Sequence, residues 1–165
     1  MHEYCNSTNW SGWLTAFITL IIGIIAGYIA WQQWRTNREK LRLDLYQKRF
    51  SVYESTLAYY QFVIAQDGFT KEEQDKIDIN FIKSFRESQF LFSLEDGIFT
   101  LLEEIWKKAS IVRGYKNLAE AYRSGDPEDL RQKGNEHIAA LKFLNESIPK
   151  LELKLKKYLD FHRVS

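Results

Sequence analysis

Apolar positions along the chain follow two rules, one before Trp34 and one after it. From Leu14 to Trp31, the 18 residues LTAFITLIIGIIAGYIAW carry no charge. As a helix rising 1.5 Å per residue they extend roughly 27 Å, close to the ~30 Å hydrocarbon core of a bilayer. Beyond Trp34, apolar residues recur at steps of three and four, the mark of helices that bury one face. Leu43, Tyr46, Phe50, Tyr53, Leu57, Tyr60 and Ile64 form the first such series. No Pro or Gly interrupts the chain from Tyr28 to Asp67, so one helix is expected to leave the apolar segment and stop at Asp67-Gly68.

A second helix is predicted from Thr70, whose Thr-Lys-Glu-Glu sequence makes a capping box with Glu73. It carries Ile77, Phe81 and Phe85 towards the run Phe90-Leu91-Phe92. Ser93 is the expected N-cap of a third helix with Ile98, Leu102, Ile105, Ala109 and Val112 on one face. Ser124-Gly125-Asp126-Pro127 opens a fourth, Asp126 at the cap and Pro127 in the first turn. Leu130, Ile138, Leu141, Leu144, Ile148, Leu151, Leu155 and Tyr158 supply its face. Pro149 is expected to kink or break that helix, because it lacks an N–H and its ring collides with the preceding turn. The predicted fold is all-α: a single N-terminal transmembrane helix continuing into an antiparallel cytoplasmic bundle of about four helices. The implied divisions are a short extracytoplasmic tail (1–9), the transmembrane helix (10–34), a basic juxtamembrane helix (35–50) and the bundle (51–165).

Charge sharpens the picture. The chain has 23 basic and 22 acidic residues, but no Lys or Arg precedes Arg35. Residues 35–50 hold Arg35, Arg38, Lys40, Arg42, Lys48 and Arg49 against Glu39 and Asp44, a local +4. The positive-inside rule places this collar in the cytoplasm and the N-terminus outside. Arg35, Arg38, Lys40 and Arg42 are the residues expected to hold anionic headgroups, at about 1 kcal/mol each. Residues 51–165, with 17 basic and 19 acidic residues, are slightly acidic, which argues against nucleic acid as a partner. A cleaved signal peptide would need positive charge ahead of the apolar run, and none is there. Trp10 and Trp13 at one end, and Tyr28, Trp31 and Trp34 at the other, form the two interfacial aromatic belts of a retained anchor.

Within the anchor, Gly12, Ala16, Thr19, Gly23, Ala26 and Ala30 recur at alternating steps of four and three, and Gly23 with Gly27 makes a GxxxG. Small residues let helix backbones approach in lipid, so this stripe is the expected contact face for another copy or another membrane protein. Extended forward, the count reaches 33, 37, 40 and 44, one residue out of phase with Leu43 and Tyr46. The face that grips a membrane partner is thus expected to differ from the face that packs the bundle. Cys5, the single cysteine, could form an intermolecular disulfide outside the cell or stay unpaired. Asn6-Ser7-Thr8 matches a glycosylation sequon too close to the membrane to weigh.

Little in the chain suggests catalysis. His2, His137 and His162 are its only histidines, and His137 shows no metal-ligand spacing, which makes it a surface or packing residue. No Gly-rich phosphate loop or nucleophile elbow is present, and one cysteine cannot build a cluster. Pairs such as Asp44/Lys48, Glu103/Lys107, Glu104/Lys108, Asp129/Lys133 and Glu152/Lys156 stand four apart, the spacing of a solvated helix face. No cofactor, metal or enzymatic activity is expected.

The segments WQQWRTNREKLRLDLYQKRFSVYE (31–54), SQFLFS (88–93), WKKA (106–109) and LKKYLDF (155–161) resemble a widespread, poorly characterised family of short bacterial membrane-anchored helical proteins. Arg49-Phe50 with Val52-Tyr53-Glu54 is the most distinctive piece. The resemblance implies a bacterial inner-membrane location and a helical cytoplasmic module, and supplies no activity. It draws attention to Arg49 and Glu54 as a basic and an acidic group at the root of the bundle. The function expected is a non-enzymatic, membrane-tethered interaction module, an accessory subunit in a bacterial stress or phage-defence system. Its stripe would bind a membrane helix and its bundle a cytoplasmic protein. The alternative is an oligomeric effector that perturbs the bilayer, against which stands a span without any ionisable residue at depth.

Overall fold

The computed structural model describes residues 8–65, 68–121 and 127–160, with the side chains at 8, 9, 11, 116–121, 127, 129 and 130 left aside. Those residues form four α-helices and one 3-10 turn, with no strand among them. Helix α1 runs from Thr8 to Ala65, α2 from Lys71 to Leu91, α3 from Ile98 to Ala121 and α4 from Pro127 to Leu159. The expected all-α architecture, a long apolar N-terminal helix followed by a bundle, is what the chain adopts. It divides into two compact units, one ending at Asp44 and one beginning at Leu45.

Local chemistry accounts for the helix ends. Thr70 caps α2 in a complete capping box: its hydroxyl accepts from the Glu73 N–H at 3.3 Å, and Glu73 Oε2 accepts from the Thr70 N–H at 2.8 Å. The Thr70 N–H, and the Thr70 hydroxyl that donates to the same Oε2 at 2.9 Å, hold the Glu73 carboxyl below its ordinary pKa. Ser93 departs from expectation. It makes no side-chain cap and leads into the 3-10 turn Leu94–Asp96, so α3 begins only at Ile98. Gly97 makes the hinge, with φ +60° in the left-handed region that other residues enter at a cost. Pro149 neither breaks nor ends α4, which is continuous across it. Leu144 and Ile148 before it, and Leu151 and Leu155 after it, are all buried, and packing on both sides offsets the lost hydrogen bond. Asp67, Asp126 and the tail with His2, Cys5 and the sequon lie outside the described residues, as does His162.

The core of the second unit is one cluster. Ile98, Leu102, Ile105, Ala109 and Val112 of α3 are fully buried, as their spacing predicts. Phe81 and Phe85 of α2 join them, whereas Phe90 is 83% exposed. On α4 the buried face is Ala140, Leu144, Ile148, Leu151 and Leu155; Ile138, expected inside, points out.

Helix α1 requires the largest correction. Its buried positions are Val52, Thr56, Tyr59 and Val63, with Phe62 beside them and Arg49 half-buried. That face lies one residue back, about 100° of rotation, from Phe50, Tyr53, Leu57, Tyr60 and Ile64. The physical reason is the polar tip of tyrosine. Tyr53 and Tyr60 sit half-buried at the margin, where their hydroxyls donate to Glu152 Oε1 at 2.8 Å and Asn145 Oδ1 at 2.7 Å on α4. The interior takes Val52, Thr56, Tyr59 and Val63; Thr56 satisfies its hydroxyl by donating to the Val52 carbonyl at 2.6 Å, and Tyr59 finds Arg113 for its own. Leu43 is exposed and packs no core.

Candidate functional site

Two surfaces and one polar seam carry the chemistry of this chain. The first surface is the anchor. Among the described residues one helix is long and apolar enough to cross a membrane, and none of its most apolar window is buried against protein. Every large apolar side chain from Trp10 to Trp34 is exposed, the five belt residues Trp10, Trp13, Tyr28, Trp31 and Trp34 included. Gly12, Ala16, Thr19 and Gly23, with Thr15, Leu20 and Ile24, line one shallow groove along the helix. Ala26, Gly27 and Ala30 are exposed further along it and do not line that groove. Where a Cβ would stand on Gly12, Gly23 or Gly27 there is open space, so no neighbour in this chain requires glycine there.

The collar residues are exposed, and some are already engaged. Arg38 lies over the Trp34 ring, 5.0 Å from its centroid, and Arg35 pairs with Glu39 at 3.5 Å. Lys40 and Arg42 are exposed on the same stretch. Both contacts leave the guanidinium charge in solvent, available to anionic groups.

The seam lies where α1, the Phe92–Gly97 connection and the end of α4 meet. Arg49 reaches across it: its Nε donates to the Leu91 carbonyl at 3.2 Å, and its guanidinium stands 4.6 Å from the Tyr158 ring centroid. Tyr158 accepts from the Ser93 N–H at 3.1 Å, donates its own hydroxyl to Asp96, and packs edge-on against Phe92. Asp96 also pairs with Lys157, and its backbone carbonyl accepts from Lys154. Lys157 and Tyr158 hold the Asp96 carboxyl below its ordinary pKa, and Asp96 in turn raises Lys157. Of the two residues singled out in RFSVYE, Arg49 ties three segments together. Glu54 is exposed on the opposite flank of α1 and takes no part. Asp96 escaped notice because its partners stand about 60 positions away in the chain.

A second polar group, partly buried, joins α2 and α3. Arg113 of α3 pairs with Asp78 of α2 at 2.8 Å, lies 5.0 Å from the Phe62 ring centroid, and meets the hydroxyl of buried Tyr59. Burial raises the Tyr59 pKa, and Arg113 opposes that rise. Burial alone would lower Arg113, but Asp78 and Tyr59 hold it above its ordinary value. These contacts fix helices to one another and expose no reactive atom. His137 stacks on Tyr115 at 4.4 Å, a packing role, with its Nδ1 enclosed. No group of three or more His, Cys, Asp or Glu among the described residues is arranged to hold a metal ion.

No protein-family model, curated protein or solved structure matches the chain. The resemblance carried by residues 31–54 and the shorter segments therefore rests on those segments alone.

Proposed function

We propose that the chain is a membrane-tethered helical interaction module without enzymatic activity. Its anchor crosses the bacterial inner membrane once, with the N-terminus outside and the bundle in the cytoplasm. The observation that carries this reading is the complete exposure of the apolar residues between Trp10 and Trp34. The core helix of a soluble protein would bury such a stretch; here only lipid or another membrane helix can cover it. The collar adds orientation, through Arg35, Arg38, Lys40 and Arg42 beside anionic headgroups. The small-residue groove from Gly12 to Gly23 supplies the contact with a membrane helix, where glycine lets backbones approach closely. The bundle presents its surface to a cytoplasmic partner, in the manner of an accessory subunit of a stress or phage-defence system.

Two measurements test the reading. Carbonate extraction should leave the full chain in the membrane pellet, and its release into the soluble fraction would refute the anchor. Cys5 is the single cysteine, so a membrane-impermeant maleimide added to intact cells reports the side on which the tail lies. Labelling before lysis is expected; labelling only after lysis would reverse the topology.

A further inference from the structure

The outer face of α2 carries an uncovered stripe. Ile79, Ile82, Arg86 and Phe90 follow one another at steps of three, four and four, on the side of the helix away from the buried Phe81, Ser84 and Ser88. All four are exposed, Phe90 more so than any tryptophan of the anchor. From Ile79 to Phe90 the stripe runs roughly 17 Å. Beside it the Phe85 ring draws in the aromatic edge of α3. Its centroid lies 4.8 Å from that of Phe99, 6.4 Å from that of exposed Trp106, and 5.4 Å from the Arg86 guanidinium. Charge on the stripe is one-sided. Lys83, on the edge towards α1, and Arg86 meet no carboxylate among the described residues. Acids around them are placed elsewhere: Glu103 takes Lys107 at 2.8 Å, Asp78 takes Arg113 at 2.8 Å, and Glu87 lines the groove towards α1.

We infer that this face docks an amphipathic helix of a cytoplasmic protein, one whose apolar side is flanked by acidic residues. Such docking rests on the cytoplasmic bundle proposed above and names the kind of partner it takes. Three features select that occupant. Apolar groups at steps of three and four over three turns match the side of a second helix laid lengthwise along α2. Lys83 and Arg86, lacking carboxylates of their own, find them on the partner. Trp106 and Arg86, on either side of Phe85, are the residue types that dominate binding once water is excluded. Glu72 and Asp75, exposed beyond Ile79, reverse the sign, so the acidic flank of the partner belongs at the Ile82–Phe90 end. A bilayer is the poorer match. The stripe climbs α2 from Phe90, beside the Leu91 carbonyl that Arg49 holds, and a flat surface at that end would leave Ile79 bare.

The test uses the full chain in mild detergent, labelled with 5-fluorotryptophan. Trp10, Trp13, Trp31 and Trp34 all lie in or beside the apolar run, so the Trp106 fluorine resonance alone reports the bundle. The probes are two synthetic helical peptides with leucines three and four residues apart, one flanked by glutamates and the other by lysines. The glutamate peptide should shift the Trp106 resonance and bind about tenfold more tightly than the lysine peptide, the scale of two exposed pairs turned from repulsive to attractive. Lys83→Glu with Arg86→Glu should reverse that preference. Ile82→Asp should abolish binding of the glutamate peptide, whereas Ala139→Asp, exposed on α4, should leave it unchanged. All four side chains are exposed, so the variants should keep the wild-type thermal midpoint, which shows that they fold. No Trp106 shift with either peptide, equal affinity for both, or a preference that survives the double charge reversal overturns the inference. So does a Trp106 shift produced by phosphatidylglycerol without peptide, which would assign the face to a membrane surface. Detergent stands in for the bilayer throughout, so these outcomes are distinct from carbonate extraction, which decides the anchor.

Discussion

Residues 8–44 and 45–65 belong to one uninterrupted helix, and they treat apolar side chains in opposite ways. In the first stretch every large apolar residue is exposed; in the second, Val52, Tyr59, Phe62 and Val63 are nearly or wholly buried. Backbone hydrogen bonding is alike in both, so the contrast lies in what each side-chain set requires of its surroundings. The second stretch finds cover in α2, α3 and α4, and water supplies the drive to pack them. The first finds no cover in its own chain. Its apolar part, long and bare, is a candidate to cross a membrane.

The comparison predicts that equal truncations have unequal consequences. Leu102→Ala removes a fully buried side chain and should cost the bundle about 2–5 kcal/mol, read as a lowered midpoint in thermal unfolding of the full chain in mild detergent. Ile22→Ala deletes a comparable volume from the exposed stretch and should leave that midpoint within about 0.5 kcal/mol of wild type. If both variants destabilised equally, the first stretch would have a protein partner of its own within the chain. An intermediate effect is expected of Asp78→Ala, which strands the half-exposed Arg113 beside Tyr59 and Phe62. A loss of about 1–2 kcal/mol is anticipated in the same measurement.

Much of this contrast is legible in the sequence, for identifiable reasons. An uninterrupted apolar run declares itself without any tertiary information, and so does a capping box whose partners stand three residues apart. The α3 face was readable because its five core residues are aliphatic and have no polar tip to satisfy. Helix α1 misleads for the converse reason. Its tyrosines all look alike in spacing and size, yet Tyr53 and Tyr60 take a margin where the hydroxyl finds Glu152 or Asn145, while Tyr59 goes inside beside Arg113. Thr56 reads as polar and is buried, because its hydroxyl bonds one turn back. Ser93 reads as a cap, but Gly97 permits a left-handed turn that delays α3 by several residues. The Asp96 seam is invisible to periodicity, because it joins charges from elements that only folding brings together.

The smallest predicted effect concerns the polar side of the same contrast, where the bundle fixes its α2–α3 connection by charge. Asp96 is held below its ordinary pKa of 3.8 by Lys157 first and Tyr158 second. A carboxyl with a depressed folded pKa contributes stability that is fully present above its unfolded value and is lost as pH falls through the folded one. Lys157 is raised above 10.5 chiefly by the same contact, so its share persists below that value and is lost as pH rises through the folded pKa. Asp96→Asn abolishes the charge at one end of the pair. The gap in melting temperature between wild type and Asp96→Asn should therefore be level across the neutral range and close below roughly pH 4. Lys157→Met removes the other end of the same pair, so its gap should close in acid with Asp96 and again in strong alkali, where Lys157 gives up its proton. The collar offers the control. Glu39→Gln removes an exposed pairing with Arg35 that joins no second element, and its gap should be near zero at every pH. A gap for Asp96→Asn that stayed unchanged into strong acid would mean that Asp96 acts through the shape of its turn alone, and the charge would carry none of the seam.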